Sequence, residues 1–233
     1  MSKSIKLYFD LMSQPSRALY ILFDLAKIPT DRQPVALRNG AHMTDEFKKI
    51  NRFQKVPCIV DHDGFKLSES IAILRYLDRK NEFPLLKNFY PEDGKKRALV
   101  DEFLEWQHNS LRVFCAMYFQ FAWLLPIMTG HPSKPERVEE MKTLMENALD
   151  TIEDTWLGDT NKFLTGDTLT VADLWAACEI EQPTMAGYDP RNGRPKLTNW
   201  LKQVRTATNP VYDEAHRIVY KVAENEKKKK AKL

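Results

Sequence analysis

Cysteine is scarce in this chain of 233 residues, and its three cysteines stand far apart. An odd number of isolated cysteines, Cys58, Cys115 and Cys178, excludes a framework of paired disulfides. The first residues lead directly into a strand pattern without a signal-like apolar run, so we expect a reducing, cytoplasmic setting. The cysteines and the five histidines show none of the spacings of metal ligands, and we expect no metal.

The chain also lacks a large excess of charge over most of its length. The net charge is +3, yet residues 227–233 alone hold five lysines, and subtracting these from +3 leaves −2 for residues 1–226. A nearly neutral body offers no broad basic surface, so we expect no nucleic-acid partner. A block of like charges usually stays solvated, and residues 227–233 are therefore predicted to form a lysine-rich, disordered tail.

No apolar run is long enough to cross a bilayer. The most apolar stretch, residues 113–128, contains Gln120 and Pro126 and falls short of the ~20 residues that a span requires. We predict a buried helix there and no membrane partner. An apolar content of 43% and a charged content of 29% are typical of a globular protein with one large or two modest domains.

What the chain does contain is two kinds of periodicity. Residues 1–80 alternate as strands at 5–9, 31–37, 56–60 and 65–67, with helical patterns beginning near residues 14, 44 and 68. Residues 93–226 are helical in pattern, from a long helix over 95–125 to a last one over 211–226, and residues 81–92, with two prolines, are predicted to be the linker. The fold class is therefore α+β: a mixed four-stranded sheet with helices, followed by an all-α part.

One more absence lies at residues 13–16, Ser13-Gln14-Pro15-Ser16, between the first strand and the first helix. A thioredoxin-like unit would carry a Cys-x-x-Cys pair here, so a dithiol redox role at this position is excluded. The helix N-terminus remains and attracts anions. Ser13 is either a simple helix N-cap or a hydrogen-bond donor to a bound thiolate, and the two interpretations are compatible.

Several motifs, in this order and at these separations, make the chain resemble the cytosolic glutathione transferases, most closely their theta class. They are LMSQPSRA at 11–18, KVP at 55–57, ESIAIL at 69–74, VDE at 100–102 with WQH at 106–108, FLTG at 163–166 and TVADL at 170–174. The resemblance covers nearly the whole chain. It implies a thioredoxin-like, glutathione-binding domain at 1–80, a helical domain at 93–226 for the hydrophobic substrate, and glutathione as co-substrate.

The resemblance also implies roles for particular residues. Ser13 would stabilise the glutathione thiolate, and Val56, before a cis Pro57, would pair with the backbone of the tripeptide. The γ-glutamyl end would meet Glu69 and Ser70, unless these are a capping pair. The glycine carboxylate would meet the polar side chains of His42, Gln54 and Lys55.

Further roles concern the substrate side and the fold. Arg17 and Arg112 would belong to the substrate pocket, and Arg17 would add positive potential. Thr170 and Asp173 would form a structural capping box worth roughly 0.5–2 kcal/mol. Aromatic residues of the long helix would be mostly core, with a few in the pocket wall. Theta-type relatives often continue past the last shared helix as a lid, so a more open site is expected here.

The predicted function is conjugation of glutathione to small hydrophobic electrophiles, a detoxifying reaction carried out by a homodimer. The alternatives are a glutathione-dependent dehalogenase or peroxidase on the same fold, and a non-catalytic carrier of apolar ligands. A glutaredoxin-like role would need a cysteine in place of Ser13. Cys58, next to Pro57, is a weak substitute, and we expect it to be a buried structural thiol.

Overall fold

The chain is described by a computed structural model that covers residues 4–159 and 161–230. Its single sheet has the strand order β2-β1-β3-β4, in which β2 runs parallel to β1 while β3 and β4 are antiparallel to their neighbours. Pro34 ends β2, an edge strand, where a missing N–H costs no ladder hydrogen bond. The strands are β1 (Ile5–Phe9), β2 (Thr30–Pro34), β3 (Cys58–Val60) and β4 (Lys66–Ser68).

Three helices complete the first part of the chain. Helix α1 begins behind Ser13 with Pro15 in its first turn, and its residues from Pro15 to Phe23 are buried. Helix α2 is capped by Thr44, whose hydroxyl accepts the N–H of Phe47 at 3.2 Å. The helices are α1 (Gln14–Leu25), α2 (Asp45–Ile50) and α3 (Ser70–Lys80). The predicted mixed four-stranded sheet with helices is confirmed.

The rest of the chain is helical, as predicted. Between α3 and α4 the linker is packed rather than open, because it contains a 3-10 turn at Pro84–Asn88 and a buried Tyr90. Helix α8 begins with the predicted capping box of Thr170 and Asp173. The helices are α4 (Gly94–Asn109), α5 (Leu111–Phe119), α6 (Leu125–Thr129), α7 (Pro135–Thr151), α8 (Val171–Glu181), α9 (Pro195–Thr208) and α10 (Val211–Lys230).

The prediction of one continuous helix over residues 95–125 is wrong, because the helix is interrupted. Ser110 leaves helical geometry, with φ −127° and ψ −88°, and its hydroxyl donates to the carbonyl of Trp106. The helix is therefore divided into α4 and α5, and a π-helical turn at Gln120–Leu124 then separates α5 from α6.

Residues 113–128 are also less buried than predicted. Within this stretch, Cys115, Tyr118 and Phe119 face the core, while Met128 is 72% exposed. The expectation that no apolar run is long enough to cross a bilayer is wrong by length and composition alone, because the helical stretch Gly94–Thr129 is long and apolar enough. Its break at Ser110 and its packing against α7 and α8 make it part of the helical core instead.

The predicted disordered tail is wrong for its first four residues. Helix α10 continues to Lys230, and Glu224 pairs with Lys228 at 2.7 Å one turn further along. Such pairs, together with cations at a helix C-terminus, stabilise the last turns. The other residues of the predicted tail, 231–233, lie outside the described residues.

The two parts of the chain are joined through α1. It packs against the sheet on one side and against α8 and α10 on the other. Ser13, at the N-terminus of α1, therefore lies where the sheet meets the helical part, next to residues of both.

Candidate active site

Ser13 occupies the N-cap of α1, but its hydroxyl does not cap the helix. Its backbone is extended, with φ −86° and ψ 124°, and its carbonyl accepts the first helical hydrogen bond from Arg17 at 3.1 Å. The hydroxyl instead lies 3.4 Å from the carbonyl oxygen of Val56, a long contact. It is thus free to donate to another acceptor in front of the positive end of α1.

Val56 is held by a turn that residues 51–55 form before it. The side chain of the buried Asn51 donates to the carbonyl of Lys55 at 2.6 Å and accepts from the N–H of Phe53 at 3.0 Å. The bond between Val56 and Pro57 is cis, as the resemblance implies. Within the described residues, the contact from Ser13 is the only hydrogen bond of the Val56 backbone, so this edge can pair with an extended ligand.

Glu69 and Ser70 open α3 without capping it. Glu69 has φ +69°, which is strained for a residue with a side chain, and its exposed carboxylate makes no capping bond. Ser70 accepts a hydrogen bond from the indole N–H of the buried Trp175 at 3.1 Å. Glu69 and Ser70 are therefore not a capping pair. Because the Ser70 hydroxyl acts as an acceptor toward Trp175, its proton can still be donated to a ligand.

These segments surround one cavity of about 340 Å³ between the sheet and the helical part. Arg112 reaches its wall from α5 and pairs with the buried Glu179 of α8 at 2.6 Å. Burial raises the pKa of Glu179, while Arg112 opposes that shift. The lining residues are Pro15, Asn51, Lys55, Val56, Pro57, Ser68, Glu69, Ser70, His108 and Arg112.

The structure thus brings together six of the predicted site residues around this cavity: Lys55, Val56, Pro57, Glu69, Ser70 and Arg112. His42 and Gln54 are not in its lining, and neither is Ser13, although Pro15 of the same turn is. His42 lies in the 3-10 turn Ala41–Met43 with a buried Nδ1 that has no partner within the described residues, and Gln54 lies in the Asn51 turn with φ +52°.

The predicted place of Arg17 in the substrate pocket is wrong. Its side chain is fully buried and donates to the carbonyl of Leu11 at 2.8 Å, and to the carbonyl of Cys178 and the side chain of Gln182, both at 2.7 Å. A guanidinium with these contacts joins α1 to α8 and does not face a substrate.

Asn51, Trp175 and Gln182 were not found by sequence reasoning. Asn51 alone carried a local signal, because asparagine favours turns whose backbone it can bond.

An apolar group, here called the Met12 cluster, adjoins the residue before Ser13. In it Met12 packs with residues of the π-helical turn and of α10. Of the aromatic residues predicted to be mostly core, Tyr118 is buried and Trp123 lies in this cluster. The cluster consists of Phe119, Met185 and Val219 with Met12, Trp123, Leu124, Ile218, Tyr220 and Val222.

All three cysteines are free and buried. Burial raises the pKa of Cys58 and of Cys178 to about 12, and it raises the pKa of Cys115 well above its usual value. No group of three or more potential metal-binding side chains occurs in residues 4–159 and 161–230.

Native protein at about pH 8 is expected to resist an aromatic disulfide reagent for many minutes, because no cysteine is both accessible and ionised. In denaturant all three thiols should react at once. Counting released chromophore against time measures both. Rapid labelling of one thiol in the native protein would contradict the prediction and would favour a redox role for Cys58.

Comparison with known proteins identifies the family. Residues 13–80 match the family model for the glutathione S-transferase N-terminal domain, and residues 114–207 match that for the C-terminal domain. Glutathione S-transferase theta-1 of Bos taurus is 40% identical over 223 residues, covering 95% of this chain and 91% of the relative. The chain belongs to the theta class of the glutathione S-transferases.

Solved structures of theta-class transferases have the same fold. The apo form of human glutathione-S-transferase T1-1 matches with a TM-score of 0.88 and 38% identity, covering 95% of this chain and 91% of that one. A crystal structure of human glutathione transferase theta-2, in complex with glutathione and an unknown ligand, matches with a TM-score of 0.88 and 38% identity. The match covers 97% of this chain and 91% of that one. The predicted family, fold class and enzyme class are confirmed, and glutathione is the co-substrate of this family.

Proposed function

We propose that the Ser13 hydroxyl donates a hydrogen bond to the sulfur of bound glutathione and keeps it as a thiolate. The observation that carries this proposal is the position of that hydroxyl: at the N-terminus of α1, unused for capping, with only the 3.4 Å contact to Val56. A hydrogen-bond donor at the positive end of a helix stabilises an anion bound in front of that end.

The required energy is within reach of these groups. A cysteine thiol with a pKa of about 8.5 is only ~3% ionised at neutral pH. Lowering that pKa by about two units corresponds to roughly 2.7 kcal/mol. A hydrogen bond to a charged group contributes about 1.5–3 kcal/mol and a helix N-terminus about 0.3–1 kcal/mol, so the two together suffice.

The remaining groups of the tripeptide have partners around the cavity. The N–H and carbonyl of Val56 pair with its cysteine backbone, and Ser70 holds the γ-glutamyl carboxylate from the N-terminus of α3. Glu69 takes the ammonium group. Lys55 binds the glycine carboxylate, and the polar side chains of His42 and Gln54 are proposed to contact the same group.

The second substrate is a small hydrophobic electrophile bound beside the Met12 cluster, with Arg112 at the cavity wall. The thiolate attacks its electrophilic carbon, a carbon–sulfur bond forms, and a leaving group such as halide departs with the bonding electrons. Where the substrate has no leaving group, the sulfur adds to the carbon and solvent supplies the proton. We propose that this reaction serves detoxification in the cytoplasm, and that residues 1–80 and 93–226 act as the two substrate-binding domains.

Glutathione titration tests the proposal directly. Ultraviolet absorbance of the thiolate should develop at neutral pH when glutathione is added to the protein, and turnover should follow on alkyl or aryl halides. Turnover confined to hydroperoxides, or to halide release without a stable conjugate, would favour a peroxidase or a dehalogenase. Tight binding without thiolate absorbance would favour the carrier and contradict the role of Ser13.

We also propose a homodimer that closes over a groove between α3 and α4. The groove encloses about 560 Å³, and Phe65 on its rim is 45% exposed. Tyr76 is held in its wall by a hydrogen bond to Asp61. An exposed aromatic beside a groove of mixed polarity fits a self-complementary contact.

Phe65→Glu is expected to raise the dimer dissociation constant at least tenfold, because a charge would be buried without a partner. Sedimentation velocity at several concentrations measures this. Met128→Glu, at a residue 72% exposed and away from the groove, is the matched control and should leave the dimer intact. A wild-type protein that sediments as a monomer would refute the dimer.

A further inference from the structure

One aspartate, Asp10, accepts hydrogen bonds from the backbone N–H groups of the loop that carries Ser13. The Asp10 carboxylate accepts the N–H of Met12 at 2.9 Å and the N–H of Leu37 at 3.0 Å, and the Asp10 carbonyl accepts the N–H of Ser13 at 2.9 Å. The bonds from Met12 and Ser13 are local in sequence, whereas the bond from Leu37 joins Asp10 to the segment that follows β2.

The carbonyl groups of the same loop are held by Arg17 of α1 and by Gln182 of the helical part. Arg17 Nη1 donates to the carbonyl of Leu11 at 2.8 Å, and Gln182 Nε2 donates to the carbonyl of Met12 at 3.3 Å. Arg17 Nη2 donates to Gln182 Oε1 at 2.7 Å, so the two side chains form one unit. Both are fully buried. The two carbonyls that precede Ser13 are thus held by a bonded pair that spans two parts of the chain.

We propose that Arg17 and Gln182 are positioning residues for Ser13, and that Gln182 is the contact by which the helical part sets the direction of the Ser13 hydroxyl. The inference rests on the proposed function of Ser13. The hydroxyl has only a long contact to Val56, so its direction is determined by the backbone beneath it. A misplacement of a reacting group by about 1 Å can cost a hundredfold in rate.

The geometry separates this role from a purely electrostatic one for Arg17. Its guanidinium is engaged as a fork with three acceptors on different segments, which an ammonium group cannot reproduce. A lysine at position 17 would keep the charge and lose the fork. If geometry matters, Arg17→Lys should behave like the loss of Gln182, and if charge matters, it should behave like the wild type.

The experiment compares Gln182→Met with Gln107→Met in the full chain. Gln107 is also fully buried in the helical part, but its side chain has no hydrogen-bond partner within the described residues, which makes it the matched control. For Gln182→Met we expect the pKa of bound glutathione to rise by about one unit, and kcat/KM at neutral pH to fall about tenfold. The loss should be recovered at alkaline pH, with the glutathione Kd changed less than about twofold.

A second variant, Gln182→Glu, tests the inference if Gln182→Met does not fold. Gln182→Glu keeps the acceptor for Arg17 and places a carboxylate oxygen where Nε2 donated to Met12, so it should retain stability and still raise the thiol pKa. If both folded variants titrate like the wild type and only unfold at a lower temperature, the two residues are merely structural and the inference fails while the role of Ser13 stands. If the wild type itself shows no thiolate, the proposed function fails first, and the inference with it.

Discussion

Ser13→Ala is expected to lower kcat/KM at neutral pH about a hundredfold, equivalent to roughly 2.7 kcal/mol. The change removes the hydroxyl at the N-cap of α1, which does not cap the helix and has only a long contact of 3.4 Å to the carbonyl of Val56. Glutathione itself should still bind within a few fold, because Val56, Glu69 and Ser70 are untouched. The thiolate absorbance at neutral pH should disappear, and the pH profile of kcat/KM should move toward the pKa of free thiol.

Ser16→Ala is the matched control for this prediction. Ser16 is the neighbouring serine of the same helix, fully buried, and its hydroxyl has no partner within the described residues. It should keep both the absorbance and the rate. Persistence of the bound thiolate in Ser13→Ala, seen in the same spectrophotometric titration, would show that another group ionises the sulfur.

The contrast between Ser13 and Gln182 shows what local sequence can predict. Ser13, Val56 and Ser70 lie at the ends of short elements whose patterns are readable, so their places could be foreseen. Gln182 meets Met12 across 170 residues, and Arg17 was expected to add charge to the pocket because only its spacing from Ser13 was visible. Contacts between distant segments depend on how the helices pack, which periodicity does not encode.

The helical part was predicted in outline for a similar reason. The apolar residues Leu104 and Leu111 keep a helical spacing of seven across Ser110, although residues 107–110 are all polar, so this spacing does not mark the break between α4 and α5. At the other end, the block of lysines suggested disorder, but Glu224 and Glu226 stand one turn before their partners and extend α10. The sequence pattern indicates which segments are helical more reliably than where each helix ends.

Asp173→Ala is expected to reduce the free energy of unfolding by roughly 3–5 kcal/mol, well beyond the 0.5–2 kcal/mol of a cap alone. The carboxylate is fully buried and accepts the N–H of Leu164 at 2.9 Å, the indole N–H of Trp200 at 2.8 Å and the N–H of Thr170 at 2.8 Å. Alanine would leave three buried N–H donors without an acceptor, each costing about 1–3 kcal/mol before relaxation, and would also remove the 3.2 Å bond that the Thr170 hydroxyl donates to this carboxylate.

The measurement is thermal unfolding at one fixed protein concentration, where a loss of this size corresponds to a fall of roughly 10 °C in Tm for a chain of this length. Asp173→Asn should cost less, because its amide oxygen can still accept from Leu164 and Trp200 while its NH₂ group faces the N–H of Thr170. Asp167→Ala, at an exposed acid of the same loop, should leave Tm nearly unchanged. Since Asp173 ties the 163–166 loop and α9 to the start of α8, a loss no larger than that of a surface cap would mean that these ties contribute little to the stability of the helical part.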